Sequence, residues 1–126
     1  MHFAQFRAFK GLSAMGQLIL LIEGATYGPW SEPHDAGTLI VIAYDGLTLA
    51  TLKQHLPDSV VMPLFGRGFD AQDALVLLAG FGFAGRVAVT SPALPNPDLI
   101  TRELSSVAPG ITVTLVQTGP LTVLSR

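Results

Sequence analysis

The sequence predicts a small α/β domain built on a parallel β-sheet, and three observations carry that reading. Short aliphatic runs recur along the chain, at residues 18–22, 38–43, 59–65, 86–90 and 111–117. Most are apolar from end to end instead of alternating, as strands buried on both faces of a sheet are. Between the later runs stand segments of about ten residues with leucines at helical spacing, the crossovers that parallel neighbours require. The 126 residues suffice for one such domain and leave little room for a second.

Residues 2–15 place Phe3, Phe6, Phe9 and Leu12 three apart, with Arg7, Lys10 and Ser13 between them, which predicts a short amphipathic helix. The chain is therefore divided into an N-terminal amphipathic segment, 1–17, and a single domain, 18–126. The run 18–22, between Gly16 and Gly24, reads as a buried strand. Behind Arg7 and Lys10 it also has the outline of a secretory leader, but it is short, and Glu23 stands where a small-residue cleavage site would fall. No run reaches the roughly 18 apolar residues of a membrane span, so no membrane partner is expected. Residues 24–37 carry three glycines and two prolines and read as a loop.

The second strand, 38–43, leads to a turn at Asp45-Gly46, and Leu49, Leu52 and Leu56 follow at the spacing of one helical face. Pro57-Asp58 stops that helix. A third strand, 59–65, exits through Gly66-Arg67-Gly68, after which Asp70 is placed to cap a helix with Asp73 at its third position. Ala74, Leu75 and Leu78 would face the sheet, and Gly80, Gly82 and Gly85 end the helix. Beyond the fourth strand, 86–90, Asn96 is a good cap, Pro97 suits the first helical position and Asp98 the first turn. Leu99, Ile100, Leu104 and Val107 supply an apolar face. The fifth strand, 111–117, is rich in β-branched residues, and residues 121–124 offer a further strand beyond Gly119-Pro120.

Composition excludes several classes of function. Lys and Arg are scattered singly and the net charge is −2, so no basic stripe exists to follow a nucleic acid. The absence of cysteine removes disulfides, thiolate metal sites and a Cys nucleophile, and accords with a cytoplasmic location. His2, His34 and His55 lie far apart without metal-ligand spacing, and no metal site is expected. His34-Asp35 reads as a turn. Gly66-Arg67-Gly68 lacks the third glycine of a dinucleotide loop, and no serine sits in a nucleophile elbow, so no cofactor is expected either. Hydrophobic residues make up 49% against 13% charged, which predicts apolar surface closed by a protein partner, most simply a two-fold homodimer.

The order of pieces in the middle of the chain resembles a known family. Ile42-Ala43-Tyr44-Asp45-Gly46, Leu49 and Leu52, then Pro57-Asp58-Ser59-Val60-Val61-Met62-Pro63 are similar to the second strand, helix and third strand of the receiver domain of bacterial response regulators. Gly66, Gly68, Phe69 and Asp70 look like the loop after its phosphorylation site, and Val87-Ala88-Val89-Thr90-Ser91 is similar to its fourth strand. The likeness covers residues 38–118 and implies a flavodoxin-like, three-layer fold with a five-stranded parallel sheet. The departures fall on the chemistry. The family's phosphoacceptor Asp falls on Pro63, its paired metal-binding acids reduce to Glu23 before Gly24, and its Lys after the fifth strand has no counterpart among Gln117, Thr118 and Gly119. Thr90 alone remains of the family's active set. The first and fifth helices are reduced as well, because 24–37 is too rich in Gly and Pro and residues 121–126 are too few.

Open α/β sheets bind ligands beyond the carboxyl ends of their strands. The crevice candidates are Glu23, Asp45, Pro63, Phe65, Thr90 and Ser91. Local geometry explains Asp45 as a turn residue and Ser91, before Pro92, as loop chemistry; Glu23, just beyond a buried strand, has no such explanation. The interface candidates are Phe3, Phe6, Phe9, Leu12, Tyr27 and Trp30. The resemblance implies a phosphorylation-independent pseudo-receiver, not an enzyme, that regulates or binds a protein partner. The alternatives are a small enzyme or ligand-binding protein using the crevice, and a structural subunit of a larger assembly.

Overall fold

The structure is a computed structural model that describes residues 18–25 and 38–117. Five strands form one sheet: β1 (Leu18–Ile22), β2 (Thr38–Ile42), β3 (Ser59–Pro63), β4 (Arg86–Ser91) and β5 (Thr112–Gln117). All neighbours are parallel, in the order β2-β1-β3-β4-β5. Among the described residues three helices connect β2 to β3, β3 to β4 and β4 to β5: α1 (Leu49–His55), α2 (Ala71–Gly80) and α3 (Pro97–Val107). This is the flavodoxin-like α/β fold that the sequence predicts.

The connections from β2 to β3, β3 to β4 and β4 to β5 all step the same way across the sheet. Crossovers of one hand then lie on one face, and the packing agrees. Leu20, Ile22, Val60, Met62, Val87 and Val89 form one cluster with Leu52 of α1, Ala74, Leu75 and Leu78 of α2, and Leu104 of α3. Each fully buried side chain of this size contributes about 1.5–3 kcal/mol. The alternate positions point the other way, where Ile19, Leu21 and Val61 form a smaller cluster with Ala25, Leu39 and Ala88 against it. Among the described residues no helix covers that face. The interface candidates Phe3, Phe6, Phe9, Leu12, Tyr27 and Trp30, and the further strand expected at 121–124, lie outside the described residues.

Local chemistry sets the ends of the elements. Asp70 Oδ1 accepts from the Asp73 N–H at 2.9 Å while Asp73 Oδ2 accepts from the Asp70 N–H at 3.1 Å, a reciprocal box that satisfies two otherwise orphan donors. Asn96 Oδ1 accepts from the Leu99 N–H, and Pro97 opens α3. Pro57-Asp58 does more than end a helix. The Leu18 N–H donates to Asp58 Oδ2 at 2.8 Å, the Asp58 N–H donates back to the Leu18 carbonyl, and the Asp58 carbonyl accepts from the Arg86 N–H. One residue thus ties the amino ends of β1, β3 and β4 together. Gly85 lies so close that a Cβ there would stand 2.7 Å from the Asp58 carbonyl oxygen.

The structure differs from the sequence reading in detail. Of the leucine triplet only Leu52 is buried; Leu49 is 41% and Leu56 74% exposed. α1 is two turns long: Leu49 is its first residue and Leu56, at φ 49°, leaves it in the left-handed conformation, so the outer leucines stand at its two ends and Leu52 alone at its middle. β3 stops at Pro63, two residues early: the Leu64 N–H still reaches the Thr90 carbonyl, but the chain then leaves the sheet and Phe65 bridges to Asp70. β4 runs one residue further, to Ser91, and β5 begins at Thr112, since the Ile111 N–H closes a turn on the Ala108 carbonyl. No described helix is long and apolar enough to cross a membrane.

Replacing Asp70 by Ala should remove the cap of α2 and lower the unfolding free energy by about 1 kcal/mol. A urea melt with an unchanged slope checks this, and an unaltered midpoint would deny the box its role.

Candidate functional site

The sheet reverses its strand order at β1, which lies between β2 and β3. The carboxyl ends of β1 and its neighbours are the topological switch point, where the connections diverge and a crevice opens. Pro63 widens it. The Leu64 N–H donates to the Thr90 carbonyl on β4 at 2.8 Å, so the alternation of a parallel ladder turns the nitrogen of Pro63 toward β1. That nitrogen carries no hydrogen. The pairing of β1 with β3 accordingly ends at Leu21 and Val61, and the Ile22 carbonyl accepts instead from the Ala25 N–H across a turn at Glu23-Gly24. Gly24 takes φ +102°, and a Cβ there would rest 3.4 Å from the Pro63 ring, so the turn lies against the proline.

Above this split lies an open cleft of about 760 Å³ lined by Glu23, Gly24, Ala43, Tyr44, Asp45, Phe65, Gly66, Arg67 and Phe69. One wall is the Tyr44 ring stacked on Phe69, centroids 4.1 Å apart and planes within 3°. That stack joins the loop after β2 to the loop after β3. The second loop is itself closed by the Gly66 N–H to the Phe69 carbonyl and by the Ala71 N–H to the Leu64 carbonyl, both 2.9 Å. A side chain on Gly66 would overlap the Phe69 ring. Burial pushes the Tyr44 hydroxyl above the ordinary phenol value, and the carboxylates of Asp73 and Asp70 push it further the same way.

Of the six crevice candidates, the structure brings Glu23, Asp45 and Phe65 to the cleft. All three are exposed there, Phe65 to 74%. Pro63, Thr90 and Ser91 are buried and do not line it. The pleat explains two of them: Val61 points away from the helices, so Pro63 two residues on does too, and Thr90 is its partner in register. The Thr90 hydroxyl lies 3.5 Å from the Met62 carbonyl, and the Ser91 hydroxyl donates to the Pro92 carbonyl at 2.8 Å. Gln117, where the resemblance seeks a lysine, accepts the Leu94 N–H on Oε1 and holds the loop after β4. Tyr44, Arg67 and Phe69 were not read from the sequence as site residues. Two aromatics placed just beyond the second and third strands were the available signal.

The cleft therefore offers two carboxylates, one guanidinium and aromatic surface. Among the described residues no three His, Asp or Glu side chains gather as a metal-binding group would. Fold and cleft together define an open α/β protein with an amphipathic crevice at its switch point. Compared with known proteins, the chain matches no protein-family model and no curated protein.

Two outcomes follow from the cleft wall. Gly66→Ala should displace Phe69, cost roughly 1–3 kcal/mol and weaken the near-ultraviolet circular dichroism of the Tyr44–Phe69 stack. An unperturbed spectrum at wild-type stability would count against the wall as described. Because the folded state raises the Tyr44 pKa, its proton is held where the unfolded chain has already lost it. That contribution to stability is complete below the ordinary phenol value of 10.0 and declines as pH rises through the folded value. Tyr44→Phe should flatten this alkaline decline in stability-versus-pH curves, and an identical decline in both proteins would refute it.

Proposed function

We propose that this chain is a phosphorylation-independent pseudo-receiver, a module that binds a protein partner with the carboxyl end of its sheet. The observation that carries the reading is Pro63. It ends β3, the place where the receiver resemblance expects the phosphoacceptor carboxylate, and it is a buried ring against Gly24 with neither a nucleophilic oxygen nor a metal ligand. Beside it the family's hydroxyl residue, Thr90, is buried outside the cleft. What the surface presents instead is Phe65, a large exposed apolar side chain that shares the cleft lining with Glu23, Asp45 and Arg67. An exposed aromatic with a charged rim is the anatomy of a protein contact. The cleft's volume and its two carboxylates favour a second reading, a small-molecule site that the module senses.

Phe65→Asp should abolish capture of a specific partner from a lysate of the source cells while leaving the melting temperature within the range of surface changes. Incubation with Mg²⁺ and a small phosphodonor should leave the mass of the wild-type chain unchanged. An acid-labile adduct of one phosphoryl group would overturn the proposal, and unchanged capture by the Phe65 variant would move the contact elsewhere.

A further inference from the structure

At the amino end of the sheet, opposite the cleft, lies an open apolar groove of about 470 Å³. α1 with Pro57-Asp58 lines one part of it, and residues 81–85, between α2 and β4, line the rest. Leu52 is buried there, and Phe81 and Phe83 are half-buried against the core. Leu49 and Leu56 stand exposed beside them.

Leu56 carries two costs at once. Its backbone is left-handed, at φ 49°, where the Cβ of an L-residue crowds the carbonyl that follows. Elsewhere among the described residues positive φ falls on glycine alone, at Gly24, Gly68 and Gly82. The turn itself needs no side chain, because the Leu56 N–H donates to the Leu52 carbonyl at 2.8 Å and a glycine would make the same bond. Yet the side chain held there is 74% exposed, so the free chain regains little by burying it. Strain kept at a surface position points to a contact made at that position.

We propose that a second copy of the chain docks in this groove, the two copies related by a two-fold axis. A two-fold interface must be complementary to itself. This patch holds both halves of a fit, since Leu56 stands out from it while Leu49, Leu52, Phe81 and Phe83 offer apolar surface to receive the same residue of the other copy. Its charges match in the same way. Lys53 and Asp58 are exposed on the groove, one of each sign, and among the described residues neither meets an opposite charge; Asp58 Oδ2 takes the Leu18 N–H. The two-fold sets Lys53 of one copy against Asp58 of the other, whereas a foreign partner charged with a single sign would meet one of them as a like charge. The cleft lies at the other end of the sheet, so the pair leaves Phe65 of each copy exposed.

Sedimentation of the full chain over a wide range of concentration should show a reversible equilibrium of monomer and dimer. Leu56→Gly suits the left-handed turn and removes the side chain. Its dimer dissociation constant should rise about tenfold or more, as at an interface hot spot. Its melting temperature, compared at dilutions where both proteins are monomeric, should stay within the range of surface changes. Leu56→Asn, which also tolerates this backbone, should behave alike. Lys53→Glu should weaken the dimer as well, and less so in high salt. Phe65→Asp should leave it intact. A chain that stays monomeric at every concentration, or a dimer that survives Leu56→Gly unweakened, would overturn the proposal. So would a dimer lost in Phe65→Asp, which moves the pair to the cleft, or one indifferent to Lys53→Glu, which removes the charge match that selects a second copy.

Discussion

A connection between parallel strands packs well in one hand only, because a right-twisted strand feeding a right-handed helix returns to its sheet on one side. In this chain three successive connections step in one direction, and α1, α2 and α3 fall on a single face as a result. The same rule makes β1 the odd strand. It lies inside the sheet between β2 and β3, its two neighbours, which are joined to each other by the crossover over it. That position gives β1 its continuous aliphatic sequence, since Leu20 and Ile22 serve one cluster while Ile19 and Leu21 serve the other.

Where β1 and β3 part, the backbone needs something to do with its hydrogen bonds, and Pro63 determines what. A residue with an N–H in its place could have carried the ladder to the Ile22 carbonyl. Without that donor the carbonyl turns to Ala25, the chain bends at Glu23-Gly24, and the end of the sheet opens into a cleft. One residue type thus removes the acceptor that the receiver resemblance would require and widens the crevice that remains. The two consequences are physically linked, because both arise from a pyrrolidine ring standing at the end of a central strand.

Much of this was legible in the sequence where local chemistry and periodicity agreed. β1 follows from five aliphatic residues between glycines, the α2 box from two acids three apart, and the start of α3 from Asn96-Pro97. The triplet Leu49, Leu52 and Leu56 misled because spacing says which residues share a face but not how long the helix lasts. The crevice was half legible. Glu23 and Asp45 follow their strands directly, so placing the strands placed them. Thr90 lies outside the cleft for a reason of parity: it remains within β4, where the pleat and not the strand end determines its direction. Tyr44 and Phe69 were hidden because a stack between two loops is a contact across sequence, with no periodic trace in either.

That stack is also what makes the cleft a defined shape instead of two independent loops. Loops at strand ends are ordinarily the least constrained parts of an α/β domain. Here Tyr44 sits in a short 3₁₀ turn, Phe69 is held by the Gly66 N–H on its own carbonyl and by the absence of a side chain on Gly66, and the parallel rings join the two. Phe65, four residues before Phe69 in the same loop, is by contrast left in solvent. The Phe65 backbone is itself bridged to Asp70 within that closed loop, so a partner of the kind proposed would find the chain beneath the exposed ring already ordered by folding.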